Sequence, residues 1–362
     1  MTALIARCLR GLEWVVAAEV AGRCRGRVTR TRHREVWFEA DEPAALDLRT
    51  ADDVFRMLGA VSGIGRSRDD LGRVAGAAED LDVPPNPVGF EVVATFVSAR
   101  NYNRYDVEDT LGEAISARVG GPYFSRRAGQ KPPSGLASFR VTIEGDEAAV
   151  AVRSGAHPLH RRPYKQGSVV GTLHPPAAAA LALLAGLRPG QDLLDPCCGA
   201  GTIVIEAGRL ELVGVFAGDI DARALTKTAG NASRAAVHLA TWRADAARLP
   251  LASGSVDRVV SNLPWSKRLS PGGALSHGAG MLWSEVRRVL RPGGRAVVMI
   301  GDAGGDHRAA IEGAGLHVAA QFSVHLMGAR PTVLVAGLQG ATALDDQGFI
   351  GPYLATARGT IA

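Results

Sequence analysis

The chain has 362 residues, of which 46% are hydrophobic and 21% charged, a composition that excludes a largely disordered protein. This length exceeds the usual size of one compact core, so we expect two or three domains. The formal charge of +5 suits polyanionic partners, although mild basicity can also serve solubility alone.

The sequence shows no sign of a membrane or metal protein. No apolar run approaches the roughly 20 residues that span a bilayer, and the amino terminus lacks the apolar core of a signal peptide. The four cysteines have neither zinc-site nor disulfide-framework spacing, and His160 and His174 lack spaced partners. We therefore expect a cytoplasmic protein without membrane contact or metal, in which both histidines are polar surface or turn residues.

The first 165 residues predict two small α+β units separated by a linker. In the first unit, the apolar pattern indicates a helix at residues 12–20 and strands at residues 4–8, 27–31 and 35–39. Residues 81–87 form the linker, because their prolines fix the backbone and remove hydrogen-bond donors. The second unit has a predicted helix at residues 107–119 and strands at residues 90–97, 137–143 and 148–153.

A different pattern begins beyond residue 167, where strands alternate with helices. This alternation is the signature of a doubly wound α/β fold with a parallel sheet. Seven strands are predicted, at residues 192–195, 213–218, 238–243, 256–261, 295–300, 317–324 and 332–337.

A glycine-rich turn follows the first of these strands, in LLDPCCGAGT at residues 193–202. Gly199 and Gly201 allow the backbone to approach a ligand at the carboxyl edge of the sheet. A dinucleotide is disfavoured, because Val204 replaces the third glycine of its motif and Asp195 would repel a pyrophosphate. The same carboxylate suits a cofactor with a cationic amino end, such as S-adenosylmethionine. The alternative is a tight turn without a ligand.

Two further aspartates close the next two strands. Asp219 in GDID can accept hydrogen bonds from both hydroxyls of a ribose, and Asp245 in ADAARLP can accept one from an adenine amine. Each could instead cap a helix or close a turn, as we expect for Asp221. The pair is compatible with a nucleoside-containing cofactor but does not identify it.

The fourth strand ends in VVSNLPWSKRL at residues 259–269. The Asn262 side chain and the Leu263 carbonyl can accept the two hydrogens of a flat aromatic amine, while Trp265 stacks on its ring. Such an amine is a poor nucleophile, because its lone pair is delocalised into the ring. Two acceptors that pull its hydrogens out of plane favour attack on the methyl group of a sulfonium. The alternative is a buried turn with a structural tryptophan.

These motifs resemble those of a known family. DPCCGAGT, GDID, ADAARLP and NLPW look like the motifs of class I S-adenosylmethionine-dependent methyltransferases, and NLPWSKR resembles the loop of the THUMP-domain tRNA guanine-N2 methyltransferases. The resemblance covers most of residues 3–340, including GLEWVVAAEV and the segments that begin at Phe90 and Ser138. The sequence departs from the family pattern at Cys197, Ala200, Trp265 and Ser266.

The resemblance implies an α/β fold with a Rossmann-like class I methyltransferase domain, whose seven-stranded sheet is mostly parallel, preceded by α+β ferredoxin-like and THUMP domains. The implied boundaries are residues 1–80 for the ferredoxin-like domain, 81–165 for the RNA-binding THUMP domain, 166–340 for the methyltransferase domain and 341–362 for a tail.

The motifs and the resemblance together predict three sets of site residues. The catalytic set is Asn262, Leu263, Pro264 and Trp265. The cofactor set is Asp195, Pro196, Cys197, Gly199, Gly201, Thr202, Asp219, Ile220, Asp245, Ala246 and Asn262. The RNA set is Arg100, Arg104, Arg161 and Lys165 on phosphates, with Lys267 and Arg268 just past the catalytic loop, at the mouth of the pocket.

We therefore expect a monomeric tRNA guanine-N2 methyltransferase that uses S-adenosylmethionine and modifies a guanosine in the acceptor stem, after the base has left its stack. N6-adenine or ribosomal guanine-N2 methylation stays open, because the loop recognises an amine rather than a named base. An RNA-binding protein with an inactive methyltransferase domain is a second alternative. The intact motif residues argue against it: Asp195, Gly199, Gly201, Asn262 and Pro264.

Overall fold

The structure is a computed structural model that describes residues 1–84, 88–210, 214–264, 272–301 and 307–338. These residues divide into two compact units. Unit 1 contains Met1–Arg7, Gly26–Asp47 and Asp53–Pro158, and unit 2 contains Cys8–Arg25, Leu48–Asp52 and the chain from Leu159 onward. These units are defined by compactness, and the domain boundaries expected after residues 80 and 165 stay a prediction. The predicted tail, residues 341–362, lies outside the described residues.

The described elements follow one another in chain order. The helices are α1 (Glu13–Arg23), α2 (Glu42–Ala45), α3 (Leu71–Asp80), α4 (Arg104–Val119), α5 (Pro175–Ala185), α6 (Thr202–Leu210), α7 (Ala222–Ala235), α8 (Gly280–Val289) and α9 (His307–Gly313). Short 3₁₀ turns lie at Arg68–Asp70 and Gly273–His277. The strands are β1 (Thr2–Arg7), β2 (Arg27–Arg32), β3 (Glu35–Ala40), β4 (Asp53–Val61), β5 (Phe90–Phe96), β6 (Ala137–Glu144), β7 (Glu147–Arg153), β8 (Asp192–Asp195), β9 (Gly214–Asp219), β10 (Ala240–Arg243), β11 (Val256–Asn262), β12 (Leu290–Ile300), β13 (His317–Ser323) and β14 (Thr332–Gly337).

Unit 1 is built on one seven-stranded sheet with the order β2-β3-β1-β4-β7-β6-β5. Neighbouring strands are antiparallel except for β5 and β6, which run parallel. The sequence pattern did not predict β4, which pairs with β1 on one side and with β7 on the other. The two predicted α+β units therefore share one continuous sheet.

Unit 2 is built on a second seven-stranded sheet with the order β10-β9-β8-β11-β12-β14-β13. Strand β14 is antiparallel to both of its neighbours, and the other pairs are parallel. The seven predicted strands of this half are present, and the predicted Rossmann-like, mostly parallel fold is confirmed. The strand order reverses between β8 and β11, and ligands bind such sheets at the carboxyl ends of the strands beside this point.

Hydrophobic residues fill both faces of the second sheet. Neighbouring residues of β11 point to opposite faces, so Val260 packs in one buried cluster and Val259 in another. Helix α5 belongs to the first cluster, and its eleven residues are all buried because it is apolar on every side. No helix in the described part of the chain is long and apolar enough to cross a membrane.

The amino-terminal helix α1 belongs to the same cluster as α5. Trp14 is 3% exposed and packs edge-on against Phe322 of β13, with 5.4 Å between the ring centroids. The Trp14 indole also donates a hydrogen bond to the carbonyl of Gly11. Residues from the start of the chain therefore help to form the hydrophobic core of unit 2.

Candidate active site

A cavity of about 630 Å³ opens at the carboxyl ends of the central strands of unit 2, a volume suited to a small-molecule ligand. Most of the predicted cofactor and catalytic residues share its wall: Asp195, Pro196, Cys197, Gly199, Thr202, Asp219, Ile220, Asp245, Ala246, Asn262 and Pro264. Motifs that lie up to about seventy residues apart in the sequence therefore meet in one site, because the parallel strands end at the same edge of the sheet.

Asp195 lies at the end of β8 and is 1% exposed. Its Oδ1 accepts hydrogen bonds from the backbone N–H of Cys197 at 3.0 Å and from the Ser261 hydroxyl at 2.7 Å. The pKa of Asp195 is raised to about 7, mainly by burial and to a smaller extent by the nearby Asp219 carboxylate, although the two hydrogen bonds lower it. A buried carboxylate in a cavity wall fits a ligand that carries positive charge.

The glycine turn connects β8 to α6. Gly199 lines the cavity, with a φ of +56°, whereas Gly201, with a φ of +78°, lies behind the wall. A Cβ atom on Gly201 would lie 2.8 Å from Cγ2 of Thr228 on α7. Gly201 therefore allows the turn to pack closely against α7, rather than contacting the cavity itself.

Asp219 ends β9 beside this turn. Its Oδ2 accepts from the backbone N–H of Gly199 at 2.8 Å, and its Oδ1 accepts from that of Asp221 at 2.9 Å. Each carboxylate oxygen has a second lone pair, so the fixed side chain can still accept from ribose hydroxyls. Asp221 caps α7 by accepting from the N–H of Arg223 at 2.8 Å, as the sequence predicted.

Asp245 follows β10, where it closes a turn and also lines the cavity. Its Oδ1 accepts from the backbone N–H of Ala247 at 3.0 Å and so closes a turn, while the residue also lines the cavity. Gly273 lies against it with a φ of +59°, and a Cβ atom on Gly273 would overlap Oδ2 of Asp245. The close approach of these two residues therefore requires glycine at position 273.

The predicted catalytic loop begins at the end of β11. The Nδ2 of Asn262 donates to the carbonyl of Gly171 at 3.3 Å, and Pro264 lines the cavity. The Leu263 side chain is 3% exposed and packs in the core, and its backbone N–H donates to the Met299 carbonyl at 3.0 Å. The other loop predictions, Trp265, Lys267 and Arg268, lie outside the described residues.

One wall of the cavity was missed by the sequence analysis. It is formed by residues 169–173, within a segment at residues 167–173 that we call the strap. The strap contributes mainly backbone and small side chains, and these carry no chemical motif. The only available signal was its composition, since Gly167 and Gly171 precede the two prolines that begin α5.

The predicted RNA contacts separate into two kinds. The Arg100 guanidinium donates to the backbone carbonyls of Ile64, Gly65 and Gly145, and the Lys165 ammonium donates to the carbonyl of Leu173. Burial also lowers the pKa of Lys165 to about 8. Both side chains therefore make contacts with the protein's own backbone, and phosphate binding by Arg100 and Lys165 stays a prediction.

The two other predicted phosphate contacts are exposed. Arg104 begins α4 in unit 1, and its guanidinium lies 4.5 Å from the centroid of the Tyr105 ring. Arg161 lies in unit 2. Both side chains are therefore accessible to a partner.

His160 and His174 are half-buried rather than fully exposed. Their rings stack with centroids 5.4 Å apart, and both contact Asp52. The described ranges contain no group of three or more His, Cys, Asp or Glu side chains arranged to hold a metal ion.

Comparisons with known proteins agree with the fold. Residues 161–332 match the UPF0020 family, described as RMKL-like, methyltransferase domain. The tRNA (guanine(6)-N2)-methyltransferase of Thermus thermophilus is 34% identical over 246 residues, which cover 64% of this chain and 69% of that protein. The crystal structure of TrmN from Thermus thermophilus superposes with a TM-score of 0.76 at 28% identity, over 94% of this chain and the whole of that one.

A more distant relative shares only part of the chain. The U6 snRNA (guanine-N(2))-methyltransferase THUMPD2 of Bos taurus is 31% identical over 139 residues, or 38% of this chain and 26% of that protein. The expected cofactor is S-adenosylmethionine, and the class I fold supports it. By its similarity to the Thermus enzyme and by its fold, the chain belongs to the family of tRNA (guanine-N2)-methyltransferases.

Proposed function

We propose that the chain transfers a methyl group from S-adenosylmethionine to the N2 amine of a guanosine in the acceptor stem of tRNA. The observation that carries this proposal is the position of Asn262, whose amide lies in the same cavity wall as Asp195 and Asp219. The named relatives act on tRNA and on U6 snRNA, yet both names specify the guanine N2 amine. This agreement favours guanine over adenine as the target base.

The cavity residues fit the cofactor. When bound, S-adenosylmethionine supplies a methyl group that is electrophilic because it is attached to a sulfonium. Asp219 would hold the ribose hydroxyls, and Asp245 would accept from the adenine amine. The buried Asp195 carboxylate would compensate the positive charge of the amino-acid end.

The chain's own contribution to the reaction is to orient the amine. Oδ1 of Asn262 and the backbone carbonyl of Leu263 accept the two amine hydrogens, and this holds the nitrogen lone pair out of the plane of the base. Asn262 removes no proton, because an amide is not a base at neutral pH. Positioning and electrostatic stabilisation therefore account for catalysis.

Exposed arginines are proposed to hold the RNA backbone. Arg104 in unit 1 and Arg161 in unit 2 keep this role because both are exposed, whereas Arg100 is engaged by backbone carbonyls. The guanidinium of Arg104 lies over an aromatic ring, which orients it without neutralising its charge. Such contacts position an RNA through its phosphates and do not read its sequence.

The direct test uses the full chain with labelled S-adenosylmethionine and unmodified tRNA transcripts, followed by digestion to nucleosides. We expect label in N2-methylguanosine, and the position is read from mutated acceptor stems. Label in N6-methyladenosine, label only when ribosomal RNA replaces tRNA, or no transfer at all would each contradict the proposal.

A pair of variants tests the role of Asn262. Asn262→Ala removes the acceptor, so single-turnover transfer should slow by about 100-fold while cofactor affinity stays near normal. Asn262→Asp is the matched control, because it keeps acceptor oxygens at this position and should retain more of the rate. Equal rates in wild-type and Asn262→Ala protein would show that another group orients the amine.

A further inference from the structure

Asn231 on α7 is completely buried and uses its whole amide group on backbone atoms. Its Nδ2 donates to the carbonyl of Gly167 at 2.8 Å and to that of Ala200 at 2.9 Å, and its Oδ1 accepts from the N–H of Gly167 at 2.9 Å. One side chain therefore links the start of the strap to the glycine turn of the cofactor site. A buried amide whose donors and acceptor oxygen are all engaged in hydrogen bonds holds the segments that it joins in place.

The rest of the strap is also held in place. The Thr172 hydroxyl donates to the carbonyl of Val169 at 2.6 Å and accepts from the N–H of Val169 at 2.7 Å. Lys165 donates to the carbonyl of Leu173 at 2.7 Å. Within this anchored segment Gly171 adopts a φ of +78°, and its carbonyl faces Asn262.

The contact between Gly171 and Asn262 favours one orientation of the Asn262 amide. A carbonyl oxygen can only accept a hydrogen bond, so the end of the amide that faces Gly171 must be its NH₂ group. The oxygen is then the opposite end of the same amide. A displaced Gly171 carbonyl would weaken the preference for this orientation. In the opposite orientation the NH₂ group would face a substrate amine, and two donors would meet.

We propose that Asn231 is a positioning residue for methyl transfer, which acts through the strap to hold the acceptor oxygen of Asn262 toward the target amine. The inference rests on the proposed function, in which Asn262 accepts that amine. Asn231 lies behind the cavity wall and away from the reacting atoms. It works through the Gly167 carbonyl, the strap backbone and the Gly171 carbonyl.

Thr228 offers a matched contrast on the same helix. Its hydroxyl donates to the Gly199 carbonyl at 2.8 Å, so it supports the glycine turn as Asn231 does, but within the described part of the chain it makes no hydrogen bond to the strap. Both side chains are fully buried. Isosteric changes at the two positions therefore separate support of the cofactor turn from support of the strap.

The experiment compares Asn231→Asp with Thr228→Val in the full-length protein. Asn231→Asp keeps the acceptor for the Gly167 N–H but places a carboxylate oxygen against two carbonyls. We expect the single-turnover transfer rate at saturating cofactor and tRNA to fall about 10- to 100-fold. Thr228→Val should weaken cofactor affinity, measured by calorimetry, and change the saturated rate by less than about twofold.

A double-mutant cycle tests the connection to Asn262. If Asn231 acts through that amide, Asn231→Asp should cause little further loss of rate in the Asn262→Ala background. Hydrogen exchange of residues 167–173 in the cofactor-free protein gives a second readout, which should rise in Asn231→Asp and stay at the wild-type level in Thr228→Val. Gly171→Ala strains the strap without changing the Asn231 amide, and it should also slow transfer. This variant tests the inference even if Asn231→Asp does not fold.

The outcomes distinguish the inference from the proposed function. A wild-type transfer rate in Asn231→Asp, or an equal fractional loss with and without the Asn262 amide, would overturn the positioning role. A normal rate in Gly171→Ala would overturn it as well. A normal rate in Asn262→Ala would instead refute the role of Asn262 in the proposed function.

Discussion

Replacing Asp195 by Asn should stabilise the protein in the absence of cofactor, and the gain should grow with pH. Burial raises the pKa of this carboxyl to about 7, whereas its ordinary value is 3.8. An asparagine oxygen can still accept from the Cys197 N–H and the Ser261 hydroxyl, which are the two hydrogen bonds that Asp195 makes. The variant therefore removes a buried charge with little change in packing.

The size of the effect follows from the two pKa values. Between pH 3.8 and about 7 the folded chain retains a proton that the unfolded chain has released, so stability is lost as pH rises through this window. At about 1.4 kcal/mol for each pKa unit, the ionisable side chain costs about 2 kcal/mol at pH 5 and about 4 kcal/mol at pH 8. Asn does not ionise and avoids this cost.

Urea unfolding at pH 5 and pH 8 without cofactor measures the difference directly. Asp221→Asn is the matched control, because Asn caps a helix as well as Asp does and the side chain is exposed. The control should match the wild type at both pH values. The reasoning would be refuted if the difference in unfolding free energy between Asp195→Asn and wild type were the same at both pH values, or if the variant were less stable than wild type at pH 8. Either result would show that ionisation of Asp195 does not destabilise the folded protein.

Three further perturbations test other parts of the molecule. Asp219→Ala should weaken cofactor binding by about 1 to 3 kcal/mol, measured by calorimetry. An unchanged affinity would show that Asp219 does not bind the ribose. Trp14→Ala should lower the unfolding free energy by about 3 to 5 kcal/mol, because it leaves a cavity in the buried site against Phe322. Unchanged stability in urea would show that α1 does not contribute to the core of unit 2. Arg104→Ala should weaken tRNA binding and reduce the salt-dependence slope by about 1, and an unchanged slope would exclude a phosphate contact.

The methyltransferase half was largely predictable because its signals are local. Short apolar strands end at turn residues, and the carboxyl ends of parallel strands must meet, so the sequence alone is enough to group Asp195, Asp219 and Asn262. The predicted ends of the strands were less accurate. Strand β12 begins at Leu290, five residues before the predicted start, because pairing with β11 continues across a register shift between Val256 and Arg258.

Strand β4 escaped prediction for a different reason. Its sequence, DVFRMLGAV, has no regular alternation, and its pairing with β7 is interrupted between Met57 and Gly59. The strand is fixed by neighbours on both sides, which are distant in sequence. A central strand of this kind depends on tertiary contacts that a single sequence does not display.

The sequence shows how many basic residues there are, but it does not show which of them are exposed and which make structural contacts. Arg100 and Arg104 are four residues apart and look equivalent, yet one donates to backbone carbonyls and the other is exposed. The strap was missed for a related reason, since its contact with Asn262 is made by a backbone carbonyl that any residue carries. Contacts made by the backbone have no sequence signature.

Unit 2 is formed from three separate segments of the chain, so residues 166–340 alone lack part of its core. Glu206 on α6 is completely buried and accepts hydrogen bonds from Arg49, Arg162 and Tyr164, all of which precede residue 166. Removing the partners of a buried charge costs about 3 to 5 kcal/mol.

The amino-terminal residues of unit 2 also support one another. Glu19 on α1 accepts from the backbone N–H groups of Arg49 and Thr50, so α1 fixes the segment that brings Arg49 to Glu206. Helix α6 begins at the glycine turn of the cofactor site, and a truncated protein would therefore lose support directly behind that turn. Loss of cofactor binding on truncation would report a damaged core, so substitutions in the full chain are the valid way to separate RNA binding from catalysis.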